Sequence, residues 1–259
     1  MLDTVSVGRQ PPSRVGGVDS DQAGVIEVLW GLREPPSRGP KPMLSVERIA
    51  RVAMGIADSD GLAAISMQRV AGELEFTKMA LYRYVSGKAE LLAVMIELAV
   101  DDPPDLRGVP GGWRGRLEEF VRRLAVVWQQ HPWLPWATLG NRPMGPRELG
   151  WVESAVSALG DTGLTGAEQL DAVFILFGLV RNTQSMATAG TQPWDADKRV
   201  TPTMRELLEH HGDRFPALSS ATASATEPSR DNGREFGLAR YLDGLERLIS
   251  QRQARPRAS

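Results

Sequence analysis

The segment Ser66-Met67-Gln68-Arg69-Val70-Ala71-Gly72-Glu73-Leu74-Glu75-Phe76-Thr77-Lys78-Met79-Ala80-Leu81-Tyr82-Arg83-Tyr84-Val85-Ser86-Gly87-Lys88 reads as two short helices joined by a tight turn. A new helix starts after Val85. Ser66 can accept the free N–H groups at the start of the first helix, which runs to about Leu74, and Thr77 can do the same for the second, to about Tyr84. Ser86 is placed to cap the helix that follows, through Val100. Val70, Ala71, Leu74, Leu81 and Val85 supply the apolar contacts, and the small Ala71 lets the two helices cross closely. Lys78, Met79, Tyr82 and Arg83 are left on the outer face of the second helix, with Thr77 and Tyr84 at its ends. This is the layout of a helix-turn-helix, whose second helix enters the DNA major groove.

The outward residues suit that task. Lysine and arginine pair with phosphate or with guanine O6/N7, and Met79 or Ala80 can touch a thymine methyl. Tyr82 and Tyr84 can donate hydroxyl hydrogen bonds to phosphate. Lys88 lies in the first turn of the next helix, where backbone N–H groups and the helix dipole also favour an anion. From Gln68 to Lys88 there are four basic residues (Arg69, Lys78, Arg83, Lys88) against two acids (Glu73, Glu75). The same spacing also fits plain packing, since tyrosines at helix ends are often core residues with a wet hydroxyl.

Before this segment, Val46, Ile49, Ala50, Ala53, Ile56 and Ala57 form one apolar helical stripe, capped by Ser45 and stopped at Gly61. Residues 1–43 are rich in Gly, Pro, Ser and Asp, with one apolar patch at Val25–Trp30, and are expected to be an extended, disordered arm. Two readings stay open for it: a basic arm that tracks DNA through Arg33, Arg38 and Lys41, or a leader without a role. After the Asp102–Asp105 break, Leu117, Phe120, Val121, Leu124, Trp128 and His131 share one face of a long helix ended by Pro132. A turn-rich passage follows, then a stripe of Leu149, Val152, Val156 and Leu159. Thr165-Gly166-Ala167-Glu168 has capping-box spacing and opens a helix to about Met186 that is apolar nearly all round between Ala172 and Val180. Such a helix is central or lies in a subunit interface. Residues 190–202 are turn-like, Thr203–His211 is a short helix, Ser219–Gly233 a mobile loop, and Arg234–Gln251 a last helix. The fold class is all-α, divided as an arm (1–43), a head (44–103), a helical body (104–253) and a tail (254–259).

With 42% hydrophobic and 24% charged residues, the chain has the make-up of a globular protein, and its net charge of −2 announces no general affinity for nucleic acid. It has no cysteine, which rules out disulfides, thiolate catalysis and cysteine-bound zinc. Apolar runs near Leu91–Val100 and Ala172–Val180 are far short of the ~20 residues that span a bilayer. A cytoplasmic, membrane-free protein is expected. No nucleophile–base pair, phosphate loop or metal-ligand spacing points to an enzyme, and no cofactor is expected. Adjacent His210 and His211 point in different directions on a helix, so no metal site is assigned to them.

At Leu81-Tyr82-Arg83-Tyr84-Val85-Ser86-Gly87-Lys88-Ala89-Glu90-Leu91-Leu92 the sequence resembles the tetracycline-repressor (TetR) family of bacterial regulators. That family's pattern is Leu-Tyr, a variable residue, Tyr/His/Phe, a hydrophobe, two variable residues, Lys, then an apolar helix. Asp60-Gly61-Leu62 and Ile65–Ala71 fit as well, so the likeness covers about residues 44–100. Trp113-Arg114, His131-Pro132-Trp133, Gly163-Leu164-Thr165 and Leu170–Val173 are similar, more loosely, to the C-terminal domain of the tetracycline-repressor branch. The resemblance implies a homodimeric transcriptional repressor that binds double-stranded, palindromic operator DNA and is released by a small-molecule effector. By position it places DNA contacts on Ser66, Gln68, Thr77, Lys78, Met79, Ala80, Tyr82, Tyr84 and Lys88. One residue departs from the pattern: Glu75 occupies the turn where the family usually has Gly. A Glu held at φ > 0 costs on the order of 1 kcal/mol. This keeps open an alternative, a ligand-binding or protein-docking module whose head no longer reads DNA.

No motif fixes the effector site. Trp128, His131, Trp133, Trp136, Met144, Phe174, Phe177, Asn182 and Met186 are the candidates, because they combine bulky apolar walls with a few polar groups. A small apolar effector is expected. Core packing is the competing explanation for each residue, least so for Asn182 and His131, whose polar atoms need partners.

Overall fold

The computed structural model describes residues 20–32, 43–189, 200–224 and 233–254. They are all-α: α1 (Ser20–Leu29), α2 (Val46–Asp60), α3 (Met67–Glu73), α4 (Lys78–Leu81), α5 (Lys88–Ala99), α6 (Gly112–Gln130), α7 (Leu134–Ala137), α8 (Pro146–Ala158), α9 (Gly166–Ala189), α10 (Pro202–His211), α11 (Pro216–Ser224) and α12 (Arg234–Ala254). Among the described residues no helix is long and apolar enough to cross a membrane.

The head forms where local signals agree. Ser45 Oγ accepts the Arg48 N–H at 3.1 Å, and Gly61, at φ 80°, ends α2 while its N–H still bonds Ala57. Caps of this kind contribute about 1 kcal/mol each. The stripe Ile49, Ala50, Ala53, Ile56 and Ala57 is buried where α2 packs on α5 and α3, and Val70, Ala71, Leu74, Leu81 and Val85 are buried in the same core. This small core does not close on itself. It continues through Met95, Ile96 and Val100 into the body, where Leu117, Phe120, Leu124, Trp128, Leu134, Trp151 and Leu176 are buried in the same cluster.

In the body, α6 packs on α8 and α9, and α12 packs on α9. The capping box at Thr165 is made: Thr165 N–H and Oγ1–H donate to Glu168, and Thr165 Oγ1 accepts the Glu168 N–H. Those bonds, with the Arg252 guanidinium of α12, hold the Glu168 carboxyl at about 2.

Four expectations need correcting. Ser20–Leu29 is helix, not extended arm, because Val25 buries itself where α1 lies on α5; Arg33, Arg38 and Lys41 lie outside the described residues. Leu134–Ala137 is a short helix within the turn-rich passage, with Pro135 in its first turn, where a missing N–H costs nothing. Helix α5 is capped by Gly87, and Ser86 instead donates its N–H and hydroxyl to Glu90. Ser219–Ser224 is the end of helix α11, while 225–232 lie outside the described residues. Helix α9 keeps both of its expected settings open: Ala172, Val173, Leu176 and Val180 are buried, while Leu170, Phe174 and Ile175 stand about half exposed.

Candidate nucleic-acid interface and ligand cavity

Helix α3 starts at Ser66, whose Oγ accepts the Arg69 N–H at 3.1 Å, and α4 starts at Thr77, whose Oγ1 accepts the Ala80 N–H at 3.2 Å. The turn between them is a Schellman arrangement: Phe76 N–H donates to Ala71 O at 3.0 Å and Glu75 N–H to Gly72 O at 3.1 Å. Glu75 takes the left-handed position at φ 61°. The turn is therefore made in full although no glycine occupies it.

The second helix is shorter than its sequence spacing implies. Its α-helical part is Lys78–Leu81, and Tyr82–Tyr84 form the turn that leads to α5. Thr77, Lys78, Met79, Tyr82 and Arg83 line its outer side, with Met79 at 73% exposure. The Lys78 ammonium sits 5.6 Å from the Tyr82 ring centre, a cation–π contact that steadies both side chains. Ser66 and Gln68 are exposed beside this rod, Ala80 is half-buried, and Tyr84 packs half-buried against the core. Lys88 Nζ donates to Ile65 O at 3.0 Å, tying the start of α5 to the entry of α3. Arg69 is turned away and pairs with Asp60.

The body contains a cavity of about 290 Å³, lined among others by Val100, Leu124, Trp128, Met144, Trp151, Phe174 and Phe177. Its polar groups are Thr138, Arg142, Glu148 and Arg181. Of the nine expected ligand residues, Trp128, Met144, Phe174 and Phe177 line it. Four of the others are placed elsewhere. His131 Nδ1 lies 2.9 Å from Asp58 Oδ1, and Trp133 Nε1 donates to the same oxygen at 2.7 Å. Those two residues brace α2 of the head against the body. Trp136 is 54% exposed and away from the cavity. Asn182 is exposed on α9 and does not line the cavity, and the Met186 side chain lies outside the described residues. Sequence reasoning missed Arg142, Glu148, Trp151 and Arg181. A charge inside an apolar helix was the available signal for Arg181.

The cavity adjoins the last helix of the head. Trp151 Nε1 donates to Val100 O at 3.0 Å, and both residues line the cavity. Glu97 of α5 accepts the Arg147 N–H at 2.6 Å and the Glu148 N–H at 3.3 Å, so a head carboxylate caps the start of α8. Gly145 makes this possible, because a Cβ there would run into the Glu97 carboxylate. Trp30, just beyond α1, donates Nε1–H to Met144 O at 3.2 Å on the cavity rim.

Residues 107–249 match the family described as tetracyclin repressor-like, C-terminal domain. The HTH-type transcriptional repressor DrrR1 of Streptomyces coeruleorubidus is 35% identical over 97% of this chain and 95% of its own length. An HTH-type transcriptional regulator of Saccharopolyspora erythraea is 30% identical over 77% of this chain and 84% of its own. Among solved structures, apo ActR from Streptomyces coelicolor aligns with a TM-score of 0.67 at 23% identity, over 82% of this chain and 99% of its own. The complex of ActR with actinorhodin aligns with a TM-score of 0.65 at 25% identity, over 82% and 99%. With a family match over more than half of its length and a repressor relative aligned along nearly all of it, the chain belongs to the tetracycline-repressor (TetR) family of DNA-binding transcriptional regulators.

Proposed function

We propose that this protein is a homodimeric repressor that holds a near-palindromic operator and lets go when a small molecule fills the body cavity. The observation that carries the reading is the exposed rod Thr77–Arg83, whose cations have no carboxylate partner among the described residues. Lys78, Met79, Ala80 and Tyr82 are assigned to base edges and nearby phosphates. Ser66, Gln68, Thr77 and Tyr84 are assigned to the flanking phosphates, together with Lys88, which keeps donors free beyond its bond to Ile65. The half-exposed apolar face of α9 (Leu170, Phe174, Ile175), with Phe236 of α12 at 70% exposure, is assigned to the dimer interface. Dimerisation sets two α4 rods about one DNA turn apart, ~34–36 Å.

Release requires the effector to favour the DNA-incompetent state, since equal affinity for both states shifts nothing. The cavity wall supplies the means. A ligand pressing on Trp151 or Glu148 acts through two direct bonds on Val100 and Glu97, at the end of the last head helix. The actinorhodin complex of ActR supports a small-molecule effector for this chain as well. The test is a mobility-shift assay with DNA flanking the protein's own gene, with and without cavity-sized aromatic compounds. Retardation that one of these compounds abolishes is expected; failure to retard any such DNA would overturn the reading.

A further inference from the structure

The cavity's ionisable groups do not balance. Arg142 is spent on Glu148, to which both of its terminal nitrogens donate, and its buried Nε finds no hydrogen-bond partner. Arg181 has no carboxylate among the described residues. Its Nε donates to Pro135 O at 2.9 Å and one terminal nitrogen reaches Thr138 Oγ1 at 3.4 Å, both neutral acceptors. Its guanidinium lies 5.6 Å from the Trp128 ring centre, held at the aromatic wall. Burial, and then the like charge of Arg142, lower its pKa from the ordinary arginine value. Two guanidiniums and one carboxylate thus leave one positive charge unbalanced in a partly enclosed, largely apolar pocket, where an anion would relieve it. The rest of the wall is aromatic: Trp128, Trp151, Phe174 and Phe177, with Phe177 set edge-on to Phe120 at 5.5 Å. Such walls favour a flat, conjugated partner.

Resting on the effector reading above, we infer that the cavity selects a planar aromatic acid, its carboxylate or ionised phenol held by Arg181 and its rings stacked among the four aromatic side chains. This narrows the expected small apolar effector to one that carries an acid group. The planar fork of Arg181 suits an oxyanion with two hydrogen-bonding oxygens, and Thr138 adds a hydroxyl beside it.

The test uses anthraquinone-2-carboxylate and its uncharged carboxamide, titrated into the full chain while tryptophan fluorescence is followed. The acid is expected to bind at least about tenfold tighter than the amide. In Arg181→Gln that preference for acid over amide should vanish. Arg181→Lys, which keeps a cation, should retain part of it and serves as the deciding variant if Arg181→Gln fails to fold. Equal binding of acid and amide by the native chain, or a preference that survives in Arg181→Gln, would overturn the inference and leave the effector cavity in place. Binding of neither compound would overturn the assignment of aromatic acids altogether. An acid that binds with the expected preference but leaves operator DNA bound would count against the release reading alone.

Discussion

Lys78 and Arg83 in the head stand at the surface with no carboxylate partner among the described residues, whereas Arg142 and Arg181 in the body are set in a cavity wall whose one carboxylate, Glu148, pairs with Arg142. Both arrangements wait for an anion, but on different terms. Exposed cations lose little by being alone, gain modestly from each phosphate, and are screened by salt. A half-buried guanidinium without a counter-ion is costlier than an exposed one, and a single well-placed oxyanion relieves it. The head is therefore built for a long polyanion gripped at many points. The body is built for one small acid gripped at one.

The contrast is easiest to break at the head. Replacing Lys78 and Lys88 together with Gln should lower operator affinity on the order of 100-fold. It should also make the slope of log affinity against log salt shallower by about 1 for each phosphate that is no longer neutralised. Fluorescence anisotropy at several salt concentrations measures both, and a thermal melt checks that Lys88's bond to Ile65 is dispensable for folding. Undiminished affinity in the double variant would remove the rod from the interface.

A smaller effect is expected where the two regions meet. Asp58→Ala leaves the buried Trp133 Nε1 without an acceptor and frees His131. The cost should be about 1–3 kcal/mol, seen as a melting temperature lower by ~2–4 °C for each kcal/mol in a chain of this size. If Asp58 serves only to fasten the head, more effector should not be needed to release DNA. If it transmits, the effector concentration at half-release should change as well. A melting temperature equal to that of the native chain would deny the brace any role.

How far the sequence reveals this division follows from how local each signal is. The head is written in neighbours: Ser45, Ser66 and Thr77 sit immediately before the turns they cap, and the buried stripe of α2 repeats every three or four residues. Helix ends blur where α4 gives way to α5: the turn at Tyr82–Tyr84 shortens the one, and the start of the other falls to Gly87 rather than Ser86. The cavity is written in residues far apart. Arg142 lies in a Gly- and Pro-rich turn and Arg181 in an otherwise apolar helix, and nothing in either neighbourhood announces the other. Asn182, the polar residue of α9 that stands out in the sequence, is the immediate neighbour of Arg181. One step along a helix is about 100° around it, enough to move from the cavity to the outside. His131 and Trp133 look like ligand residues because their polar atoms need a partner. That partner is Asp58, in the other region. Helix α1 escapes detection because Val25 is the only deeply buried side chain among its described ones, too little to set a period.

The smallest expected effects come from the two described non-glycine residues at positive φ, Glu75 at 61° in the head turn and Asp101 at 56° just beyond α5. Both follow a helix, so both serve as left-handed exits, but their side chains differ in tolerance. Aspartate visits this region comparatively often because its short carboxylate can bond locally, whereas glutamate has no such compensation. Glu75→Gly should therefore stabilise the protein by about 1 kcal/mol, raising its melting temperature by ~2–4 °C. Asp101→Gly should gain at most a few tenths of that, since the glycine also adds freedom to the unfolded chain. Glu75→Ala separates the causes: it removes the carboxylate but keeps the Cβ, so it should give no comparable rise. Equal gains from Ala and Gly at position 75 would assign the cost to the charge of Glu75 beside Glu73 rather than to backbone strain. Strain in the reading head would then be no greater than at its junction with the body.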